Sequence, residues 1–135
     1  MFSRRIIERT RGNADTLATA ASKRVEVRHS LNQKLVSKAM PVPSFSTLQQ
    51  LLWDKVGIIR DRKELTEATG ILAAWQLSLP QPVDRPSYEK SNLVLTGRLV
   101  TEAALLREES RGAHFRSDFP ANSSQWQRHI VFTSK

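Results

Sequence analysis

The pattern that most restricts the fold is a run of apolar residues at helical spacing in the middle of the chain. After Asp61, apolar side chains recur three, four, three and four residues apart at Leu65, Ala68, Leu72, Trp75 and Leu79. This spacing places them on one face of an α-helix. Asp61, followed three residues later by Glu64, is a capping-box signature that predicts where the helix begins. The sequence therefore predicts an amphipathic helix that buries this face.

A similar pattern precedes this segment. Ser46 and Gln49 form a second capping box. The apolar face of the helix that it opens consists of Leu48, Leu51, Leu52 and Val56. Gly57 follows directly and is expected to end the helix. Ile58 and Ile59 then predict that the apolar surface continues across the turn.

A third helical pattern follows a proline-rich break at Pro80, Pro82 and Pro86. Ser87 is expected to cap a helix that runs from Tyr88 to Glu109. Its buried stripe is predicted to consist of Leu95, Leu99, Ala103 and Leu106.

These three helices predict an all-α fold. Because the connections between them are short, an up-down-up bundle is the simplest arrangement. The tryptophans, interpreted as packing residues, are Trp53, Trp75 and Trp126.

The rest of the chain has weaker patterns. A short apolar pattern that ends at Gly12 predicts a further helix at the start. Residues 13–43 are predicted to form a long linker, in which the alternation at 25–28 is typical of a short strand. The expected organisation is an initial segment (1–12), this linker, and a helical bundle with an irregular C-terminal tail (44–135).

The positive charge of the chain is concentrated ahead of the predicted bundle. The net charge is +8 over 135 residues, and the first 43 residues contain nine Lys or Arg against three Asp or Glu. A polar basic segment without aromatic groups is more typical of a solvated linker than of a nucleic-acid groove. No apolar run approaches the about 20 residues of a membrane span. We therefore predict a soluble, cytoplasmic protein without nucleic-acid or membrane partners.

The sequence lacks residues that common catalytic and cofactor sites need. It has no cysteine, and its five glycines are isolated, so it contains neither a dinucleotide fingerprint nor a phosphate-binding loop. His29, His114 and His129 each lack a second ligand at metal-binding spacing. The adjacent Glu108 and Glu109 point to different sides of a helix. We therefore assign no catalytic, cofactor-binding or metal-binding residue to this chain.

The densest group of ionisable side chains lies between residues 107 and 120. Gly112 is predicted to stop the third helix in a left-handed conformation, which leaves an irregular loop after it. The candidate site residues in this segment are Arg111, His114, Arg116 and Asp118. Because arginine carries five donors that suit carbonyls and carboxylates, we expect these residues to tie the loop to helix ends or to a neighbouring surface.

Two stretches of the chain resemble a known enzyme family. Residues 48–60 contain a Trp-Asp-x-Val-Gly-Ile pattern, and residues 106–120 contain Ser-Arg-Gly-x-His followed by Asp-Phe-Pro. The second motif is similar to the wider succinate dehydrogenase and fumarate reductase flavoprotein family, whereas the first favours its L-aspartate oxidase branch. The chain thus resembles the C-terminal helical domain of L-aspartate oxidases.

This resemblance implies a larger enzyme of which the chain is one part. Family members bind FAD in an N-terminal flavin domain and complete the substrate site with a capping domain. The full-length protein would oxidise L-aspartate to iminoaspartate in NAD biosynthesis and pass electrons to oxygen or fumarate. Residues 1–12 would be the remnant of the helix that leaves the flavin domain. The resemblance also implies that the chain alone is inactive, binds no FAD, and contacts the other domains through the four candidate residues.

Two alternatives remain open. A succinate dehydrogenase or fumarate reductase flavoprotein would use the same helical domain within a respiratory complex. A free-standing helical interaction domain would need no further domain. The free-standing domain is expected to have no exposed apolar face, whereas a domain of a larger flavoprotein is expected to have one.

Overall fold

The structure, a computed structural model, describes residues 26–31 and 40–133 of the chain. In chain order its elements are β1 (Glu26–His29), α1 (Phe45–Val56), β2 (Ile59–Arg60), α2 (Arg62–Ser78), α3 (Arg85–Leu106), β3 (Phe115–Arg116), a 3-10 helix (Ser124–Trp126) and β4 (His129–Phe132). The predicted helix in residues 1–12 and most of the predicted linker lie outside the described residues. The described part is mostly helical, as expected, but it also contains four short strands that an all-α fold lacks. None of its helices has the length and hydropathy that crossing a membrane requires.

The cap of α1 lies two residues earlier than the sequence pattern indicated. The N-cap is Ser44, whose hydroxyl oxygen accepts a hydrogen bond from the backbone N–H of Thr47 at 3.1 Å. The predicted cap, Ser46, lies inside the first turn. Ser44 has the extended backbone that aims a capping side chain at the free N–H groups of the first turn.

The apolar face of α1 ends with the helix. Leu48 and Val56 are buried, and the apolar residues between them on this face are partly buried. Ile58 and Ile59, however, are 79% and 70% exposed. Ile58 and Ile59 therefore do not extend the buried face of α1, because the helix ends before them and the chain continues into β2.

Helix α2 agrees with its sequence pattern. The Asp61 carboxylate accepts a hydrogen bond from the backbone N–H of Glu64 at 2.8 Å, so the predicted cap is confirmed. The buried members of the predicted seam are Leu65, Ala68, Leu72 and Trp75. The last two pack with Leu48 of α1 and Val94 of α3, and Leu79 lies partly buried against this cluster.

Helix α3 starts and ends three residues earlier than predicted. Asp84 is its N-cap, and Ser87, the predicted cap, is a residue of the first turn whose hydroxyl completes the capping box. Pro86 also lies in this turn, where its missing N–H removes no helical hydrogen bond. Because α3 ends at Leu106, Gly112 is not its C-terminal stop.

The buried face of α3 is not the predicted leucine-rich stripe. Leu95 is 37% exposed, and the other three predicted members are only partly buried. The residues that α3 buries are Val94, Gly97, Arg98, Thr101, Glu102 and Ala104. Part of this face is polar, because Arg98 donates hydrogen bonds to Glu102 at 2.8 Å and to Gln76 of α2 at 2.7 Å.

Two pairs of short parallel strands join distant parts of the chain. β1 pairs with β4, and β2 pairs with β3. The alternation at 25–28 thus corresponds to a strand that begins at Glu26. His29 of β1 lies 3.7 Å from Glu102 of α3 and packs edge-on against Phe132 of β4. The tail predicted as irregular therefore contains β3, the 3-10 helix and β4.

Candidate functional site

The candidate site is the charged segment, residues 107–120, which contains β3. Because β3 pairs in parallel with β2, Ile59 lies beside Phe115 and Arg60 lies beside Arg116. Successive side chains of a strand point to opposite faces of the sheet. Arg116 is fully buried and Arg60 is partly buried, so the arginine pair faces inward. The Ile59 and Phe115 side chains face outward.

Arg116 caps the end of α3 from inside the fold. Its Nη1 donates to the backbone carbonyls of Ala104, Leu105 and Arg107 at 2.8, 3.1 and 3.3 Å. The last turn of a helix leaves such carbonyls without an intrahelical partner. A cation here also opposes the partial negative charge of the helix C-terminus.

Asp118 holds the Arg116 guanidinium and links it to α2. Nε and Nη2 of Arg116 donate to Oδ1 and Oδ2 of Asp118 at 2.7 and 2.6 Å. Oδ2 also accepts the backbone N–H of Arg62, the first residue of α2, at 3.2 Å. The Arg116 guanidinium lowers the pKa of Asp118, which keeps this carboxylate ionised at neutral pH. One carboxylate thus connects a buried arginine to the N-terminus of a helix.

His114 is a neutral bridge between the ends of α1 and α3. Its Nε2 lies 3.2 Å from the carbonyl of Arg107, which can only accept, so Nε2 carries the proton. Its Nδ1 accepts a hydrogen bond from Nη1 of Arg60 at 2.9 Å. Burial, together with the charges of Arg60, Arg116 and Arg107, lowers the pKa of His114. An imidazole with both nitrogens bonded in this way is suited to holding the segment and leaves no free general base.

Arg60 acts on α1 as Arg116 acts on α3. Its Nε donates to the carbonyls of Val56 and Gly57 at 3.1 and 2.8 Å. Arg60 was not predicted as a member of the site. No local signal could have found it, because its partner His114 lies 54 residues away in the chain.

Glu109 is fully buried and binds two arginines of the segment. Arg107 Nη1 donates to Oε1 at 2.6 Å, and Arg111 donates to both carboxylate oxygens at 2.9 and 3.0 Å. The backbone N–H of Ser123 donates to Oε2 at 2.9 Å. These donors, led by Arg111, hold the pKa of Glu109 at about 2 despite its burial. This role of Glu109 was not predicted, because the sequence pattern shows only that it is adjacent to Glu108.

A tight turn at Gly112 brings Arg111 and His114 together. The two residues exchange backbone hydrogen bonds of 2.8 and 3.1 Å. Gly112 has φ of 58°, a conformation that a side chain would strain. The predicted left-handed glycine is confirmed, but it serves this turn and not the end of α3.

The structure brings all four candidate residues into one network. Arg116 and Asp118 pair directly, and both Arg116 and His114 bind the carbonyl of Arg107. Arg111 joins the network through Glu109, which also binds Arg107. Their ties to helix ends agree with the structural interpretation of the sequence, whereas their contact with another domain stays a prediction.

The three tryptophans differ in their packing. Trp75 is buried in the core, as expected. Trp126 is partly buried and contacts Arg107 and Arg128, whose guanidinium carbons lie 5.5 and 5.2 Å from its ring centroid. Trp53 is 77% exposed, so its interpretation as a core packing residue is wrong for this chain.

The described residues do not fit the phosphate groups of a flavin. Gly70 and Gly97 lie inside helices, and Gly57 and Gly112 lie singly at turns. Among the described residues, no glycines cluster into a loop whose N–H groups could hold a pyrophosphate. The same residues contain no group of three acidic or histidine side chains placed to hold a metal ion.

Several apolar side chains in the last turn of α1, in β2 and the residue before it, and in β3 are exposed. The apolar face, as we name them, comprises Trp53, Ile58, Ile59 and Phe115, of which Phe115 is 41% exposed and the others more. Ile59 and Phe115 lie side by side on the outer surface of the β2–β3 pair, and Trp53 lies in the last turn of α1. Exposed apolar patches often mark contact surfaces. Such a face was expected for a domain of a larger flavoprotein and not for a free-standing domain.

Comparison with known proteins places this architecture in a family. Residues 86–135 match the family model described as fumarate reductase flavoprotein C-term. The L-aspartate oxidase of Bacillus subtilis is 41% identical over 95 residues, which cover 65% of this chain and 17% of that protein. A fumarate reductase (CoM/CoB) polypeptide of Methanothermobacter marburgensis is 35% identical over 98 residues, which cover 65% of this chain and 18% of that protein. The chain therefore spans less than a fifth of the length of these curated relatives.

A solved structure has a similar fold. Mycobacterium smegmatis Sdh1 in complex with UQ1 matches with a TM-score of 0.51 and 29% identity, over 70% of this chain and 19% of that chain. The match to the family model includes the charged segment and nearly all of α3. The chain carries a C-terminal domain of the succinate dehydrogenase and fumarate reductase flavoprotein family.

Proposed function

We propose that the chain is the C-terminal domain of an L-aspartate oxidase and that it docks onto the flavin-binding part of that enzyme without performing chemistry itself. The full-length protein would use FAD to oxidise L-aspartate to iminoaspartate in NAD biosynthesis. The 41% identity to the L-aspartate oxidase of Bacillus subtilis supports this branch of the family. L-aspartate oxidases of Synechocystis and rice are 33% and 32% identical.

The docking role rests on one observation: the charged segment is engaged within the chain while the apolar face is left exposed. Ile59 is 70% exposed although it lies in a strand. Fully burying a side chain of this kind stabilises a protein by roughly 1.5–3 kcal/mol. Because the relatives are more than five times longer than the matched region, a domain of the same polypeptide is the natural occupant of this face. We assign that position to the flavin-binding domain.

The four candidate residues are proposed to border the same contact. Phe115 of the apolar face lies between His114 and Arg116 in the chain, so the apolar face and the charged segment meet at β3. The Arg111 side chain is 41% exposed, more than those of Arg116 and Asp118, so it is the most accessible of these three to a partner. Asp118 and Arg116 would act indirectly by holding β3 in place.

The three helices are proposed to form an up-down-up bundle. Only residues 57–61 connect α1 to α2, and only residues 79–84 connect α2 to α3. Short connections favour antiparallel neighbours. One core cluster draws side chains from all three helices, which supports this arrangement.

A second candidate is a succinate dehydrogenase or fumarate reductase flavoprotein subunit. The match to Mycobacterium smegmatis Sdh1 and the 35% identity to a fumarate reductase polypeptide favour it. The two proposals differ in the substrate of the full-length protein. Hydrogen peroxide release with L-aspartate would support the oxidase, whereas dye reduction with succinate would support the second candidate. For the oxidase we propose a cytoplasmic location and oxygen or fumarate as electron acceptor.

The proposed function predicts that the isolated 135-residue chain has no flavin and no oxidase activity. Purified protein should lack flavin absorbance, and it should release no hydrogen peroxide when L-aspartate and FAD are added. The reason is that the described glycines do not form a phosphate-binding loop and His114 is not a free base. Stoichiometric flavin binding by this chain, or peroxide release above a boiled control, would refute the proposal.

A further inference from the structure

An open cleft lies next to the charged segment. It has a volume of about 550 Å³ and is lined mainly by Arg107, Arg111, Arg128, His114, His129 and Trp126. None of the side chains that line it is acidic. A cleft of this size is large enough for a small organic molecule.

Two of the arginines that line the cleft, Arg107 and Arg111, are each held by several hydrogen bonds. Arg107 donates to the backbone carbonyls of Trp126 and Arg128 at 3.0 and 2.9 Å and to buried Glu109. Arg111 is held by both oxygens of Glu109 and by the carbonyl of Ser123. Fixed guanidinium groups lose little side-chain entropy when they bind a ligand.

The cleft retains both charge and free donors. Three guanidinium groups and one carboxylate leave two positive charges, and the carboxylate of Glu109 is buried behind them. Among the described residues, Nη1 of Arg111 and both Nη atoms of Arg128 have no hydrogen-bond partner. Guanidinium groups pair with planar carboxylates and with phosphates through two parallel hydrogen bonds.

We propose that this cleft binds a small polyanion through carboxylate or phosphate groups, with Arg111 and Arg128 as the main contacts. The Trp126 ring, which Arg107 and Arg128 contact, forms part of the cleft wall and reports occupancy. This site goes beyond the docking role, which assigns Arg111 and His114 to a domain contact but assigns no small-molecule ligand to the cleft.

The test is an NMR titration of the 135-residue chain with inorganic phosphate and, separately, with citrate. The Trp126 indole N–H should shift saturably, with a dissociation constant of about 1 mM or tighter. Saturation by phosphate alone identifies a phosphate ligand, and saturation by citrate alone identifies a carboxylate ligand. The same ionic strength of sodium chloride should produce no saturable shift.

Matched variants decide whether the cleft is the binding site. Arg128→Gln should weaken binding about tenfold, because it removes one of the two main contacts. Arg85→Gln removes a cation of the same charge from the exposed start of α3 and should leave affinity unchanged. Arg128→Lys should fall between Arg128→Gln and the unmodified chain. The proposal is overturned if neither anion binds saturably, or if Arg128→Gln and Arg85→Gln weaken binding equally.

Discussion

Replacing Arg116 with alanine is expected to destabilise the chain by about 3–5 kcal/mol, because it removes a fully buried side chain that donates to helix-end carbonyls and to Asp118. The variant leaves the carbonyls of Ala104 and Leu105 without the Arg116 donor and leaves Asp118 without its bidentate partner, whereas the Arg107 carbonyl keeps its hydrogen bond from His114. Urea unfolding at neutral pH, followed by circular dichroism, measures this change. A loss of less than about 1 kcal/mol would contradict the assignment of Arg116 as the cap of α3.

Two further variants separate charge from geometry. Arg116→Lys keeps the charge but cannot serve Asp118 and the α3 carbonyls together, so a partial loss is expected. Arg85→Ala removes an arginine whose side chain is 89% exposed and pairs with Glu89 within α3. Its cost should stay within about 0.5 kcal/mol, the usual range for an exposed pair.

Replacing Glu109 with glutamine is expected to destabilise the chain by about 3 kcal/mol at neutral pH. The glutamine keeps the size of the side chain but leaves Arg107 and Arg111 without their shared negative charge. The pKa of Glu109 is lowered from 4.5 to about 2. Its contribution is therefore fully present above about pH 5 and is lost progressively as the pH falls through 4.5 toward 2.

The pH dependence supplies the sharper readout for Glu109. The difference in unfolding free energy between the unmodified chain and Glu109→Gln should be constant above about pH 5 and should shrink toward pH 2. Glu108→Gln is the matched control, because Glu108 pairs with Arg62 near the surface and should contribute about 0.5 kcal/mol or less. A constant difference for Glu109→Gln across the whole acidic range would contradict the buried ion-pair assignment.

The sequence predicted α2 well because its burial and its cap follow local rules. The seam from Leu65 to Trp75 is apolar throughout, and Asp61 lies directly before it. For α3 the same rules failed. Its buried face includes the Arg98–Glu102 pair, and a hydropathy pattern assigns such residues to solvent.

Close packing of α3 against α1 also decides which residues α3 buries, and the hydrophobic periodicity of the sequence does not show this packing. A Cβ added at Gly97 would lie 3.1 Å from Cδ2 of Leu52, so the absence of a side chain lets α1 approach this face. Glycine has a low helix propensity, so the sequence alone gives no reason for Gly97 in the middle of α3. The structure shows that it lies at a contact between two helices. Only the position of Leu52 in three dimensions reveals this role.

The candidate site was partly predictable. The spacing of Arg111, His114, Arg116 and Asp118 around a glycine indicated a loop tied to helix ends. Arg60 and Glu109 were missed for different reasons. Arg60 enters through the pairing of β2 with β3, which no local pattern specifies. Glu109 was interpreted only as a helix carboxylate that points to a different side from Glu108, and its burial could not be read from that pattern.

Docking through the apolar face is tested most directly by one pair of substitutions, made both in the isolated chain and in the full-length protein. Ile59→Ser with Phe115→Ser should change the unfolding free energy of the isolated chain little, because the two side chains are 70% and 41% exposed. In the full-length protein, the same pair should lower flavin retention and the thermal midpoint together, since each buried apolar side chain contributes roughly 1.5–3 kcal/mol. Leu77 lies at the other end of α2 and is 69% exposed. Leu77→Ser should change neither the unfolding free energy of the isolated chain nor the flavin retention and thermal midpoint of the full-length protein. Unchanged flavin retention and thermal midpoint in the full-length Ile59→Ser, Phe115→Ser variant would contradict the account.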